Sequence, residues 1–172
     1  MIEFSRGFRL DTIGTTPRTV SIEADEGERT ALATRFGLVS LDHLTAVATL
    51  SLHDGAVIAR GRFEARLVQS CIASADDVPA VFADPFSIRF VAALADGESA
   101  DEIELLEGDC DSVEHDGQIV DLGEAVAQTL GLAINPFPRS PRASDILKAA
   151  GVISEDDFET GPFAGLKGLL GR

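Results

Sequence analysis

Leu44, Ala46, Ala48, Leu50 and Leu52 alternate with Thr45, Thr49 and Ser51. After His53-Asp54-Gly55 a second run puts Gly61, Phe63, Ala65, Leu67 and Cys71 on one parity and Arg60, Arg62, Glu64, Arg66 and Ser70 on the other. Successive side chains of an extended chain point to opposite faces, so a period of two sustained over this length admits strands and excludes a helix. Asp-Gly between two such runs is a hairpin signal, because both residues tolerate positive φ. A long antiparallel hairpin from Leu44 to about Cys71 is therefore expected, with one apolar face that must be covered.

The flanking sequence supplies the cover. Phe4 to Leu10 and Thr19 to Ala24 read as strands separated by Gly14-Thr15-Thr16-Pro17. Asp25 and Glu28 form a capping box and Gly37 stands where a helix-ending glycine belongs, which predicts a helix over Glu26 to Phe36 with Ala31, Leu32, Ala33 and Phe36 facing inward. Val78 to Phe82 and Phe86 to Val91 are expected as two further strands with Asp84-Pro85 between them. A short strand at Gln118 to Val120 leads into a second box, Asp121 and Glu124, in which each side chain can satisfy a free backbone N–H. Leu122, Val126 and Leu130, flanked by Ala125 and Thr129, give that helix an apolar stripe. Asn135-Pro136 forces an extended exit. Ser144 to Ala150 reads as a helical turn or two. These elements predict an α+β fold: a mainly antiparallel, twisted sheet, long enough in its hairpin to curl into a partial barrel, with a few helices over one side. With 172 residues, 45% of them hydrophobic, one domain is expected, containing an acidic connecting segment at 92–117 and a C-terminal connector with a short amphipathic helix at 155–172.

Charge is unevenly placed. The chain carries 14 basic and 29 acidic residues, net -15. No Lys or Arg occurs between Arg89 and Arg139, while twelve acids from Asp96 to Glu124 fall there; without them the remainder is 17 acids against 14 bases. That segment would repel a polyphosphate and attract a basic protein, which makes Glu102, Glu104, Glu107, Asp109 and Asp111 candidate partner contacts. Phe163, Leu166 and Leu170 form a second candidate contact, an apolar stripe on the terminal helix. Arg60, Arg62 and Arg66 share one strand face opposite a run, Thr45 to Ser51, that contains no acid; they are the candidate RNA contacts, through phosphates and without sequence preference. Trp and Tyr are absent, which argues against recognition by base stacking.

Other chemistry finds no support. No nucleophile elbow, hydrolytic triad or phosphate loop occurs, so no catalytic residue, enzyme activity or cofactor is assigned. Asp109, Cys110, Asp111, His115 and Asp116 are spaced like neither a zinc nor a calcium site, and no metal is expected. Cys71 and Cys110 are too few for a disulfide framework, and Cys71 on the inward parity reads as a small apolar residue. His43 and His53 read as polar residues at the two ends of one strand. No apolar run reaches the length of a membrane span and the first residues lack a signal-peptide core, so a cytoplasmic protein with no membrane partner is expected.

The stretch Gly117 to Pro138, GQIVDLGEAVAQTLGLAINPFP, runs strand, Asp-Leu, helix, Leu-x-Ile-type ending and Pro-x-Pro. In this order it resembles the YceD family, the large-ribosomal-RNA-subunit accumulation proteins. Pro162-Phe163-Ala164 followed by Leu166 is similar to that family's ending, with Gly161 where Asn is usual. Many members carry Cys-x-x-Cys at the end of the long hairpin, whereas this chain reads Cys71-Ile72-Ala73-Ser74, so any metal role tied to the pair is not carried over. Some relatives also have an acid where Thr129 stands. The resemblance spans about Leu44 to Arg172; the N-terminal third is similar only in general organisation. It implies a non-enzymatic ribosome-biogenesis factor that supports accumulation of 23S rRNA, with 23S rRNA or a pre-ribosomal particle, and a basic ribosomal protein, as partners. The alternative is an acidic adaptor that binds a basic protein and never touches RNA.

Overall fold

A computed structural model describes residues 3–93 and 111–152. The chain divides into two compact units, one formed by Met1–Gln69 with Pro79–Pro136 and the other by Ser70–Val78 with Phe137–Arg172. In the first unit, strands β1 (Gly7–Arg9), β2 (Arg18–Glu23), β3 (Ser40–His53) and β4 (Ala56–Ser70) precede β5 (Asp77–Ala92), β6 (Asp111–His115) and β7 (Ile119–Asp121). Helices α1 (Glu26–Phe36) and α2 (Leu122–Ala133) complete it; a third helix, α3 (Ala143–Ala149), belongs to the second unit. The fold is α+β. Among the described residues one sheet runs in the order β2-β3-β4-β5-β6, and β1 and β7 form a separate antiparallel pair.

The hairpin is present as expected. β3 and β4 pair antiparallel from Ser40 with Val68 to His53 with Ala56, and the turn residues Asp54 and Gly55 both have positive φ, 48° and 77°. That is the backbone a two-residue hairpin loop requires, because its twist matches that of the strands. One irregularity lies between Leu41 and His43, where Asp42 has no partner in the ladder. At Gly61 the β3 backbone lies against β4: a Cβ there would lie 2.1 Å from the Val47 carbonyl oxygen. Only glycine tolerates that approach.

Leu44, Ala46, Ala48 and Leu50 of β3, Val57, Ala59, Phe63, Ala65 and Leu67 of β4, and Phe86, Ile88 and Phe90 of β5 are buried in one core. Facing them are Leu32 and Ala33 of α1 and Leu122, Ala125, Val126, Ala127 and Leu130 of α2. This arrangement explains why the sheet stays open. In a small barrel the inward side chains meet those of the opposite wall, whereas here helices fill that space and the sheet does not close into a barrel. Two strand boundaries also differ. Asp84-Pro85 does not interrupt β5, which is one strand of 16 residues; proline's fixed φ suits an extended chain and removes a single donor. Asp111–His115, at the end of the acidic stretch, pairs in parallel with Ile88–Ala92. In the N-terminal segment only Gly7–Arg9 is strand, followed by a 3-10 turn at Leu10–Thr12.

Both helices are capped by aspartate, in different ways. At α1 the box is complete: Glu28 N–H donates to Asp25 Oδ1 (2.9 Å) and Asp25 N–H donates to Glu28 Oε2 (2.8 Å), and Gly37 ends the helix at φ 64°. At α2 only Asp121 caps, accepting from Glu124 N–H at 3.1 Å. Glu124 turns away to accept from Arg35 at 2.8 and 2.9 Å and from Gln128 at 3.0 Å, so the reciprocal half of the expected box is not made. The α2 start is held instead by the N-terminal segment. Leu122 N–H donates to Arg6 O, while Arg6 N–H and Ser5 Oγ donate to the Asp121 carboxylate. The segment lies so close that a Cβ on Gly123 would meet Arg6 N and Phe4 O at 2.8 Å. Arg6 closes this seam with a bidentate pair to Glu28 (2.6 and 2.7 Å), which holds the Glu28 carboxyl below its usual range. Among the described residues no helix is long and apolar enough to cross a membrane.

Candidate nucleic-acid interface

The alternation that buries Phe63, Ala65 and Leu67 turns Arg60, Arg62, Glu64 and Arg66 outward, and all four are exposed. Their neighbours on β3 are Thr49, Val47, Thr45 and His43 respectively, so no acid stands across the hairpin. On the other side Arg60 Nε donates to Ser87 Oγ of β5 at a long 3.4 Å. Among the described residues none of these three arginines forms an ion pair. Three arginines elsewhere in the first unit are ion-paired, Arg6 with Glu28, Arg9 with Asp11, and Arg35 with Glu3 and Glu124, whereas Arg18, Arg29 and Arg89 form no ion pair among the described residues. A guanidinium held at a fixed strand position and not neutralised locally can form a forked pair with a phosphate.

Sequence reasoning missed Arg89. It is exposed on β5 between buried Ile88 and Phe90, one outward position from Ser87, and so lies on the same face as the β4 arginines. The alternation Phe86, Ile88, Phe90 already implied that orientation. His43 and His53 lie in β3 as expected, and His43 Nε2 is 3.3 Å from Thr45 Oγ1.

The acidic and apolar partner candidates stand differently. Glu102, Glu104, Glu107 and Asp109 lie outside the described residues, as do Phe163, Leu166 and Leu170. Asp111 is exposed at the start of β6. His115 and Asp116 are engaged in the turn that follows: Asp116 Oδ1 accepts from Gln118 and Ile119 N–H, which lowers its pKa, and His115 Nδ1 accepts from Gly117 N–H. Among the described residues no three His, Cys, Asp or Glu side chains gather as metal ligands.

In the second unit Cys71 is more than an apolar filler. It is buried, 3% exposed, yet its Sγ accepts from Ser140 N–H at 3.2 Å. That backbone donor is the leading cause that pulls the thiol down to about 6 from 9.0, because an N–H aimed at sulfur favours the thiolate. Beside it Ser74 Oγ (2.7 Å) and Ser140 Oγ (2.9 Å) donate to Asp76 Oδ2, and Arg142 binds both Asp76 oxygens. Arg142 first, then the two hydroxyls, hold the Asp76 carboxyl below its usual range. Ser74 occupies the place of a second cysteine in Cys-x-x-Cys, and its hydroxyl joins a hydrogen-bonded clasp of neighbouring side chains that each have a partner. The signal was invisible in sequence, since Ser140 lies 69 residues from Cys71.

Comparison with family models, with curated proteins and with solved structures returns no match.

Proposed function

We propose that this chain is a non-enzymatic factor in biogenesis of the large ribosomal subunit, acting in the cytoplasm to support accumulation of 23S rRNA, and that the outer face of β4 is where it meets RNA. The observation that carries the RNA contact is the row Arg60, Arg62 and Arg66: exposed, with no acid opposite on β3, in a chain of net charge -15. The assignment to the ribosome rests on the resemblance of Gly117 to Pro138 and Pro162 to Leu166 to the YceD proteins. A basic ribosomal protein is the natural partner for the acidic residues before Gly117.

Deletion of the coding sequence is expected to lower 23S rRNA relative to 16S, with wild-type protein restoring it and the Arg60→Ala/Arg62→Ala/Arg66→Ala variant failing to do so. Unchanged 23S in the deletion strain rejects the ribosomal reading. Full restoration by the triple variant, with basic proteins but no RNA recovered in pull-downs at low salt, favours the adaptor instead.

A further inference from the structure

We propose that the β4 arginine file seats the sugar-phosphate backbone of one unpaired RNA strand laid lengthwise along β4, with Glu64 marking a gap in the phosphate contacts. The proposal rests on the RNA-contact reading above and specifies which kind of RNA that face takes. Alternate residues of an extended strand lie about 7 Å apart, so Arg60 and Arg62 match the separation of neighbouring phosphates on one chain, and Arg66 falls two steps further on. Glu64, between Arg62 and Arg66, repels a phosphate at the intervening step but can accept a hydrogen bond from a ribose hydroxyl there.

The cations stand in single file. Thr49, Val47, Thr45 and His43 flank them on β3, and Ser87 touches Arg60 from β5. Arg89 continues the line with a sideways step of one strand, about 5 Å. A duplex presents two phosphate rows across a groove and would be matched by two separated files of cations; this face offers one. No Phe stands on the outward positions of β3, β4 or β5, because Phe63, Phe86 and Phe90 lie in the core and Phe82 packs against it; the rings on that face of β3 are the imidazoles of His43 and His53. Without a Phe, Tyr or Trp platform, phosphate contacts dominate binding, which has little base preference and weakens steeply with salt.

Fluorescence anisotropy of the full chain with a labelled oligouridylate and with a blunt RNA duplex of equal length, each titrated with salt, tests this. The oligouridylate should bind more tightly. Replacing Arg60, Arg62 or Arg66 singly by Ala should flatten its log–log salt dependence by about 0.7 each, the single-strand increment per phosphate. Glu64→Gln should tighten binding roughly two- to fivefold, the range of one exposed charge pair, and Arg18→Ala, an exposed change on β2, should leave it unaltered. Equal or tighter duplex binding that depends on the same arginines overturns the single-strand proposal and leaves the RNA-contact reading standing. Oligouridylate binding whose salt dependence ignores all three arginines also overturns it. Failure of both RNAs to bind at low salt removes the RNA-contact reading as well.

Discussion

The seam at the N-terminus and the outer face of β4 use arginine for opposite ends. At the seam Arg6 makes a bidentate pair with Glu28, donates to the Glu23 and Ser5 carbonyls and lies over the Phe4 ring, while Arg35 joins Glu3 and Glu124. On β4 the arginines face solvent with Thr, Val and His for neighbours. The same residue type thus ties distant segments together in one region and leaves its charge available in the other. The difference is set by what lies within reach of the guanidinium, and only a structure supplies that for residues as far apart as Arg35 and Glu124.

Breaking the seam should have the largest effect. Gly123→Ala drives a methyl group into the backbone of Phe4 and Arg6, so a destabilisation of about 2 to 3 kcal/mol is expected in urea unfolding monitored by circular dichroism. Asp121→Ala removes the α2 cap together with the anchors for Arg6 N–H and Ser5 Oγ, and should lose about 1 to 2 kcal/mol. Arg6→Ala should lose about 1 kcal/mol, since its pair with Glu28 is partly exposed and solvent screens part of the attraction. At the other pole the triple Ala variant of Arg60, Arg62 and Arg66 should unfold within about 0.5 kcal/mol of wild type. A larger loss there would mean that these arginines support the fold and would erase the contrast.

The second unit supplies a pH test of the same contrast. The native Cys71 thiol has its pKa lowered to about 6 from 9.0. A depressed folded-state pKa contributes stability that is fully present above the unfolded value and is lost as pH falls through the folded value. The difference in melting temperature between wild type and Cys71→Ala should therefore widen in favour of wild type as pH rises from 6 to 9. A difference that stays constant across that window would show that the clasp does not favour the thiolate.

Legibility followed the range of the interactions. The hairpin, its Asp54-Gly55 turn and the whole of α1 with its box and Gly37 could be read directly, because alternation, turn chemistry and capping act within a few residues. Helix α2 was found for the same reason, but the destination of Glu124 was not, since Arg35 lies 89 residues away. β6 escaped notice because Val113 is the only large apolar residue in Asp111–His115, and a parallel edge strand needs little alternation of its own. Pro85 looked like a break because proline usually ends pairing, yet β5 passes through it. The arginine face was legible down to its lack of acidic neighbours on β3; Arg89 required only that the same parity be followed one strand further. The clasp around Cys71 could not be anticipated, since it joins the hairpin's end to a segment after the second helix.

Gly61 lies between Arg60 and Arg62, and Phe63 and Ala65 lie between Arg62 and Arg66, so the outer charges are interleaved with a close backbone contact and two core residues. The outer face therefore behaves as a graduated ruler. Substitution can change which marks carry charge, but the backbone interval between marks is clamped by the packing beneath and cannot change without unmaking the sheet.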